Sequence, residues 1–505
     1  MAKQVFKLHP QDNIFVALTD LASGTQLEDL GVTLVQSVQQ GHKIAASAIN
    51  VGEQVLRYGH IIGQATKDIR PGEHVHSHNL GMSSHEQDFE MATKVEPLSE
   101  ITEERTFMGY KRRDGKVGTR NYIGILTSVN CAGSVANFIA QAAEKSDLLK
   151  DYPNVDGIVP IVHSTGCGMS GNGEGYETLK RTLKGYANNP NFGGILLVGL
   201  GCEVLQVEAI VKGVSQMVDN PFRYMTIQEE GGTRKTIDKG LQELETIAIL
   251  ANEHQRSPEP ISMLTLGMQC GGSDGYSGIT ANPALGVASD LLVRHGGTSI
   301  LSETSEIYGA EHLLTRRAIS TQVGEKLISR IRWWEDYCAR NGGELDNNPS
   351  PGNKRGGLTT ILEKSLGAVA KGGHSPLTNV YLFGEEIEDH GFVFMDSPGY
   401  DPCSVTGQIA SGANMIVFTT GRGSVSGYKP VPCIKLATNT EMYKRMSEDM
   451  DINCGDVVTD GVSVEQKGRE IFEQIIRVAS GEMSKSEGLG YGGVEFVPWQ
   501  IGAVM

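Results

Sequence analysis

The sequence has no long apolar segment. None of its runs approaches the ~18 consecutive apolar residues that a membrane-spanning helix requires. Its first residues, MAKQVFKLHPQDN, contain no apolar core of the kind found in signal peptides. From these two features we expect a cytoplasmic protein that does not act at a membrane.

Basic residues are also scarce. Lys and Arg number 44 against 60 Asp and Glu, which gives a formal net charge of −16, and the longest basic cluster is Lys111-Arg112-Arg113. A protein that follows a nucleic-acid backbone presents a basic face, so we expect no nucleic-acid partner. An anionic small molecule is still compatible with this charge, because a few local cations decide its binding.

Cysteine is sparse and widely spread in the chain. The eight cysteines stand at positions 131, 167, 202, 270, 338, 403, 433 and 454. A secreted disulfide scaffold has many cysteines in a short chain, so this pattern favours reduced thiols. Some of these thiols are candidate metal ligands or catalytic groups.

Glycine, by contrast, is abundant, with 63 in 505 residues against a usual share of ~7%. Because no collagen-like period or Gly/Ser tract is present, these glycines belong to tight turns. No GxGxxG motif follows the first strand of the α/β region, which disfavours a nicotinamide-dependent dehydrogenase.

The chain divides into three predicted domains. Residues 1–78 contain short apolar runs between Asp, Gly and Asn turns, typical of a small all-β unit, and the polar residues 79–104 are typical of a linker. In 105–258 strands and helices alternate, for example strand Tyr122–Thr127, helix Ser134–Lys145 and helix Leu205–Val218. A second alternating series fills 259–505. The alternation predicts two α/β domains with mainly parallel sheets.

A histidine triplet lies in the all-β unit. His74, His76 and His78 share one face of a strand because side chains alternate with period two, and His42-Lys43 lies in the same unit. Imidazoles grouped on one face suit a divalent transition metal. The alternative is an exposed His-X-His run without function.

Several predicted strands end in glycine-rich turns that contain reactive side chains. Ligands bind at the carboxyl ends of parallel strands, which makes these turns candidate sites. They contain Cys131, His163 with Cys167, Cys202 and the segment Cys270–Gly275. Thiolates suit iron or zinc. The alternative is that each is a small buried cysteine in a tight turn.

Two further segments present cations. The loop NNPSPGNKRGG contains Asn353, Lys354 and Arg355 and enters a helix, so it offers backbone donors for a carboxylate or phosphate. Arg422 is a second candidate for binding a carboxylate. The alternative for the loop is a solvated basic surface.

Taken together, these motifs resemble one family. GHKIA (41–45), RYGHIIG (57–63), GEHVHSHN (72–79), DGKVGTRN (114–121), GLGCE (199–203), CGGSDGYSGITANP (270–283), NPSPGNKRGG (348–357), FTTGRG (418–423) and KLATNT (435–440) are similar to segments of the altronate and galactarate dehydratases. The run HVHSHN and residues 306–311 resemble the altronate branch more closely. Residues 163–179 depart from both branches.

The resemblance implies a β-clip, SAF-like N-terminal domain (1–78), a linker (79–104) and two α/β domains (105–258 and 259–505). It implies a hydro-lyase that converts D-altronate to 2-keto-3-deoxy-gluconate and water. It also implies a divalent metal, Fe²⁺ or else Mn²⁺, and a homodimer or larger homo-oligomer.

On this basis we assign hypothetical roles. Metal ligands are predicted at His42, His74, His76 and Cys167, and acid/base groups at Lys43, His163 and Lys354. The substrate is predicted to contact Cys270, Gly271, Gly272, Ser273, Asp274, Asn353 and Arg422. Alternative functions are galactarate dehydration, a sulfo-lyase reaction on sulfolactate, and binding of a sugar acid without catalysis.

Overall fold

The computed structural model describes residues 4–28, 31–83, 89–96, 98–214 and 221–505. The described part of the N-terminal domain is built from short antiparallel strands. They are β1 (Val5–Phe6), β2 (Ile14–Ala17), β3 (Gln26–Leu27), β4 (Val32–Thr33), β5 (Lys43–Ala45), β6 (Gln54–Arg57), β7 (His60–Ala65), β8 (His74–Val75) and β9 (Leu80–Gly81).

These strands form sheets in the orders β1-β2-β5-β8 and β6-β7-β9, with β3 and β4 as a separate pair. The turns between them require glycine where backbones meet. Gly72 has a φ of +81°, and a Cβ on it would lie 2.0 Å from the carbonyl oxygen of Thr33. This tight turn leads directly into β8 and so fixes the position of His74.

The second domain alternates strands and helices as the sequence predicts. Its elements are β10 (Thr106–Lys111), β11 (Val117–Gly118), β12 (Tyr122–Thr127), α1 (Gly133–Lys145), β13 (Gly157–Ile161), α2 (Glu174–Ala187), β14 (Phe192–Gly199), α3 (Val207–Val214), β15 (Phe222–Thr226), α4 (Thr233–Ala251) and β16 (Ser257–Pro260). The main sheet has the order β13-β12-β14-β15, and every pair in it is parallel. The predicted helix end at Val218 lies outside the described residues.

The third domain is built around a larger parallel sheet. Its strands are β17 (Thr265–Cys270), β18 (Thr298–Leu301), β19 (Leu377–Tyr381), β20 (Gly391–Met395), β21 (Met415–Thr420), β22 (Cys433–Ala437) and β23 (Ile452–Asn453). Their order is β19-β20-β18-β17-β21-β22-β23. The predicted class, a small β domain followed by α/β domains with parallel sheets, is confirmed.

Helices surround this sheet, and two of them, α8 and α9 in the following list, contribute to the site. They are α5 (Ala281–Arg294), α6 (His312–Thr315), α7 (Thr321–Arg340), α8 (Pro351–Arg355), α9 (Ile361–Val369), α10 (Asp401–Ala410), α11 (Thr440–Arg445), α12 (Asp456–Thr459), α13 (Val464–Ala479) and α14 (Lys485–Gly488). Thr360 caps α9 by accepting from the backbone nitrogen of Glu363. None of the helices described is long and apolar enough to cross a membrane.

The third domain contacts both of the others. Core residues of the N-terminal domain, such as Val16 and Val75, belong to the same buried apolar cluster as Leu266 and Leu285 of the third domain. The second domain packs α2 against α10, and a Cβ on Gly185 would lie only 2.0 Å from the carbonyl oxygen of Ala410. The N-terminal domain also lies against the turn after the carboxyl end of β17, where most of the predicted site residues are found.

Candidate active site

Three histidines of the N-terminal domain form a cluster against the third domain. In the β5–β8 pair Ile44 lies opposite His74, so His42, which precedes β5, comes beside His74. His42 Nδ1 and His74 Nε2 are 3.0 Å apart. The ring centre of His76 lies 5.3 Å from that of His42 and 5.2 Å from that of His74. The side chain of His78 is exposed at the edge of this histidine cluster.

Two backbone carbonyls of the third domain orient these rings. The carbonyl oxygen of Arg355 lies 3.2 Å from His42 Nε2, and that of Lys354 lies 2.8 Å from His76 Nε2. Because a carbonyl oxygen only accepts, both Nε2 atoms carry the hydrogen. The lone pair of a neutral His42 is then on Nδ1, which faces His74. Metal-ligating histidines have this arrangement, since their second nitrogen donates to a carbonyl or carboxylate.

The histidines are neutral at neutral pH. Burial lowers the pKa of His74 to about 3 and that of His76 to about 4, and nearby positive charge lowers both further. Burial also lowers the pKa of His42. Neutral imidazole is the form that binds a metal, so the cluster offers nitrogen lone pairs without first losing a proton.

A fully buried ion cluster joins the two domains beside the histidines. Glu363 of α9 accepts two bonds of 2.8 Å from Lys43 Nζ and another bond from the guanidinium of Arg57. Lys43 also donates to the carbonyl oxygen of Gly357 at 2.6 Å, and Arg57 donates to that of Gly275 at 2.5 Å. All three ammonium hydrogens of Lys43 therefore have acceptors.

The backbones of the two domains approach closely at this point. A Cβ on Gly275 would lie 2.1 Å from the carbonyl oxygen of Gly41, and a Cβ on Gly357 would lie 2.6 Å from the same oxygen. Any side chain at Gly275 would force the domains apart. His42 therefore lies directly against the turn that follows β17.

That turn is held in shape by buried polar side chains. The carboxylate of Asp274 accepts from Thr438 Oγ1 at 2.9 Å and from Asn439 Nδ2 at 3.0 Å. Asn353 Nδ2 donates to the carbonyl oxygen of Ser273 at 2.8 Å. Asp274 and Asn353 thus have protein partners that fix the turn.

Cations flank the turn on its open side. The side chains of Arg355 and Arg422 are exposed, and that of Lys354 is half-buried. The backbone nitrogen of Arg422 donates to the carbonyl oxygen of Gly272 at 2.9 Å, which keeps Arg422 beside the turn. Guanidinium groups at such a rim can bind a carboxylate through two parallel hydrogen bonds.

A second cluster of ionisable groups lies at the buried start of the same turn. Cys270 Sγ is 2.8 Å from Lys371 Nζ, 3.3 Å from Glu306 Oε2 and 3.8 Å from Glu303 Oε2. Lys364 Nζ donates to Glu306 Oε1 at 2.6 Å. All five side chains are buried, so their charges interact in a medium that contains little water.

Glu303 is the unusual member of this thiol–carboxylate cluster. Its φ of 72° lies in the left-handed region that residues other than glycine seldom adopt, and such conformations concentrate at functional sites. Its Oε1 has no hydrogen-bond partner among the described residues. Burial raises the pKa of Glu303 well above its usual range, and the nearby carboxylate of Glu306 raises it further. Its surroundings therefore favour the protonated form of the Glu303 carboxyl over the ionised form.

The two clusters differ in how well they suit a metal ion. In the part of the chain that the structure describes, Cys270, Glu303 and Glu306 are the one group with three ligand atoms within 4.8 Å of one another. However, two lysine ammonium groups already lie against them and supply the positive charge. In the histidine cluster, His42 Nδ1 and His74 Nε2 are 3.0 Å apart. Two nitrogen ligands at right angles around one ion have this separation when the metal–nitrogen bonds are roughly 2.1 Å long. The histidine cluster is the better candidate.

Comparison with known families covers nearly the whole chain. Residues 3–83 match the altronate/galactarate dehydratase SAF domain. Residues 109–252 match the second domain of D-galactarate dehydratase/altronate hydrolase, and residues 261–504 match the C-terminal domain of D-galactarate/altronate dehydratase. The chain belongs to the galactarate and altronate dehydratase family.

Individual relatives of this family are similar over their full lengths. A galactarate dehydratase (L-threo-forming) of Escherichia coli is 40% identical over 487 residues, which is 94% of this chain and 92% of that protein. An altronate dehydratase of Bacillus subtilis is 35% identical and covers 96% of this chain and 97% of its own length. The beta subunit of a (2R)-sulfolactate sulfo-lyase of Chromohalobacter salexigens is 31% identical over 77% of this chain and 96% of that protein. The resemblance inferred from the motifs is confirmed, and the chain is a sugar-acid dehydratase by family.

Most of the predicted site residues come together at one place in this family member. The histidines, Lys354, Arg422 and the segment Cys270–Asp274 all lie where the N-terminal domain meets the third domain. His163 and Cys167 lie elsewhere, on the loop after β13 of the second domain. His163 is buried, its Nε2 donates to the carbonyl oxygen of Thr127 at 2.9 Å, and its Nδ1 accepts from the backbone nitrogen of Thr165 at 3.3 Å. The predicted roles of His163 and Cys167 stay predictions.

Sequence reasoning did not single out Glu303, Glu306, Lys364 and Lys371. A signal existed for Glu303, because it follows the strand next to β17 and therefore reaches the same sheet edge as Cys270. The two lysines lie on or just after α9, where a helical pattern gives no indication of which side chain turns toward a thiol.

Proposed function

We propose that this chain is a metal-dependent hydro-lyase that removes water from a sugar acid and yields a 2-keto-3-deoxy acid, with D-altronate as the first candidate substrate. The observation that supports it most is the neutral pair His42 and His74, oriented by third-domain carbonyls and placed against the turn Cys270–Asp274. Family membership supports the reaction class.

In this proposal His42 and His74 would hold the ion, and His76, whose Nδ1 lies 3.0 Å from Ser77 Oγ, would turn from that hydroxyl to become the third ligand. The family resemblance names ferrous iron first and Mn²⁺ second, and imidazole suits both. When bound, a divalent ion polarises the substrate carboxylate and so makes the proton at the adjacent carbon easier to remove. The neutral state of the imidazoles fits this donor set.

The remaining residues bind the acid and manage its protons. Arg355 and Arg422 at the rim bind carboxylate, and the fixed turn excludes alternative orientations. Lys354, half-buried beside His76, is the acid/base group at the rim. Glu303 lies at the buried end of the turn, where burial favours its protonated form, and is our candidate for the acid that protonates the departing hydroxyl.

Galactarate is the second candidate substrate. The 40% identity to the E. coli galactarate dehydratase exceeds the 35% identity to the B. subtilis altronate dehydratase. Galactarate has a carboxylate at each end, and two exposed guanidinium groups at the rim, those of Arg355 and Arg422, match two carboxylates.

The test is a substrate panel with altronate, galactarate and sulfolactate, in which release of keto acid is measured before and after the metal is removed. We expect keto-acid release from altronate or galactarate, loss of activity on chelation, and recovery with Fe²⁺ or Mn²⁺. Full activity of the metal-free protein would contradict the metal-dependent scheme. Sulfite release from sulfolactate would redirect the assignment to the sulfo-lyase reaction.

Matched histidine variants test the ligand assignment. His42→Ala and His74→Ala should lose bound metal, measured by elemental analysis, together with activity. His78→Ala is the control because its exposed ring lies on the same segment. Equal metal content in all three variants would place the metal elsewhere.

We also propose that the chain forms a homodimer or larger homo-oligomer. The end of the chain exposes apolar side chains, with Val494 87%, Val504 85% and Met505 79% exposed. Light scattering of the purified protein measures the mass directly, and a monomer at all concentrations would refute the proposal.

A further inference from the structure

Three exposed cysteines lie at one edge of the second-domain sheet. Cys131 follows β12, Cys167 follows β13 and Cys202 follows β14, and these three strands are adjacent and parallel. The carboxyl ends of parallel strands meet at the same edge, so the three thiols share that edge. We propose that Cys131, Cys167 and Cys202 together bind an iron–sulfur cluster of the [4Fe–4S] class, with one iron left for a ligand other than thiolate.

Backbone hydrogen bonds bind the three loops to one another. The nitrogen of Asn130 donates to the carbonyl oxygen of Thr165 at 3.0 Å, and the nitrogen of Val204 donates to that of Gly166 at 3.1 Å. Each cysteine is one or two residues from such a bond. Three Cα steps of about 3.8 Å and one hydrogen-bonded residue pair therefore connect Cys167 with each of the other two cysteines, so the three loops lie side by side at this edge.

The packing of the loops requires a glycine next to Cys167. Gly166 has a φ of +100°, and a Cβ on it would lie 2.2 Å from the carbonyl oxygen of Ser128. Glu203 adds a second connection, because its buried carboxylate accepts from Ser128 Oγ and from the backbone nitrogen of Gly201. The loops are therefore a rigid, prearranged frame, while the three thiols themselves remain exposed.

The spacing of the thiols favours a cluster over a single ion. A tetrahedral zinc ion with Zn–S bonds of about 2.3 Å needs thiolates roughly 3.8 Å apart. Among the described residues, the group with three ligand atoms within 4.8 Å of one another is the Cys270 cluster, not these cysteines. Thiols that surround a common edge at greater separation suit a cluster of several irons, which cysteine thiolates characteristically hold.

A helix start and the end of the chain lie beside these loops. Helix α1 begins at Gly133, two residues after Cys131, so its positive N-terminal end lies beside that thiol. The end of the chain lies across the same loops: the nitrogen of Met505 donates to the carbonyl oxygen of Gly168 at 2.7 Å, and Gln500 Nε2 donates to Ser164 Oγ at 2.8 Å. The tail therefore covers part of the loop that carries Cys167.

The experiment is anaerobic purification of the full chain, reconstitution with ferrous iron and sulfide, and measurement of iron and acid-labile sulfide. We expect about four sulfides per chain and a reduced-state electron paramagnetic resonance signal. Each single substitution Cys131→Ser, Cys167→Ser and Cys202→Ser should lower the sulfide content, and the triple variant should remove it. Cys338→Ser, at a half-buried thiol on α7, should leave it unchanged.

Labile sulfide distinguishes this site from the histidine site, which would hold iron without sulfide. His74→Ala should therefore keep the full sulfide content. Circular dichroism checks that the serine variants are folded, and exposed thiols should tolerate serine. The proposal would be overturned if the reconstituted wild-type protein contained no sulfide, or if the triple variant contained as much sulfide as the wild type. It would also be overturned if the wild-type protein bound one zinc ion per chain and the triple variant bound none.

Discussion

Replacing Glu363 by glutamine should detach the N-terminal domain from the third domain. Glu363 is fully buried and is the shared acceptor for Lys43 and Arg57, both of which belong to the N-terminal domain. The E363Q change keeps the shape of the side chain but removes its charge. Two buried cations then face each other without an anion between them.

The pKa shifts within this ion cluster indicate how strongly it depends on the carboxylate. Burial alone would raise the pKa of Glu363, yet Lys43 and Arg57 lower it to about 2. Burial lowers the pKa of Lys43 to about 8 even though Glu363 opposes the shift. Both pKa values fall, which favours the charged form of Glu363 but disfavours that of Lys43. The reason is that Glu363 has two cations beside it, while Lys43 has one anion and a second cation.

The expected cost follows from this geometry. Removing one partner of a buried ion pair typically costs about 3–5 kcal/mol, because the remaining charge stays buried and uncompensated. Thr359 also donates to Glu363 Oε2 from its backbone nitrogen at 2.8 Å and from Oγ1 at 2.6 Å, and these bonds weaken when the acceptor is neutral. We therefore expect the free energy of opening of the N-terminal domain to fall by about 3–5 kcal/mol.

Hydrogen exchange of backbone amides measures this opening locally. The amide of Ala45, which donates to the carbonyl oxygen of Glu73, reports on the β5–β8 region. The control is E473Q, which removes the partner of Arg105 in a partly exposed ion pair, where the loss should be at most about 1 kcal/mol. Equal protection of Ala45 in the wild-type and E363Q proteins, or equal losses in E363Q and E473Q, would refute the reasoning.

Three further changes have defined outcomes. Gly275→Ala should lower the midpoint temperature of thermal unfolding and reduce the metal content, because the new Cβ would lie 2.1 Å from the carbonyl oxygen of Gly41. Gly488→Ala is the control and should change neither quantity, because a Cβ there would have no atom within 4 Å. Burial raises the pKa of Glu311 from 4.5 to about 7. The neutral form of Glu311 contributes stability that is present below pH 4.5 and is lost as pH rises through about 7. Urea titrations at several pH values should show a loss of at most about 3 kcal/mol in the wild-type protein, and Glu311→Gln should abolish this loss. Glu303→Gln should lower kcat by roughly 10²–10⁴-fold with bound metal unchanged, and unchanged kcat would exclude it as the acid.

The strand pattern of the sequence located much of the site. The predicted strand Tyr122–Thr127 matches β12 residue for residue, because a wholly buried parallel strand is a continuous apolar run. Period-two alternation placed His74 and His76 near each other, and their ring centres are 5.2 Å apart. Local periodicity was sufficient where the site lies within one short segment.

Contacts between distant segments were beyond such reasoning. Lys43 and Glu363 are 320 positions apart in the chain, and neither the strand around Lys43 nor the helix around Glu363 indicates the other. The same holds for Lys371 and Cys270, which are 101 positions apart. The packing of the N-terminal domain on the third domain shows that all three ammonium hydrogens of Lys43 have acceptors, and its acid/base role stays a prediction.

The division of the site between two domains has a thermodynamic consequence. His42 and His76 belong to the N-terminal domain, but the carbonyls that fix their hydrogen-bearing nitrogens belong to Lys354 and Arg355 at the end of α8 in the third domain. Docking of the domains therefore selects the tautomer of His42 with its lone pair toward His74. If docking raises the affinity for a metal by some factor, the metal must favour docking by the same factor, because coupling free energies are reciprocal. The buried Lys43–Glu363–Arg57 cluster stabilises this docking and thereby contributes to how tightly the proposed metal is held.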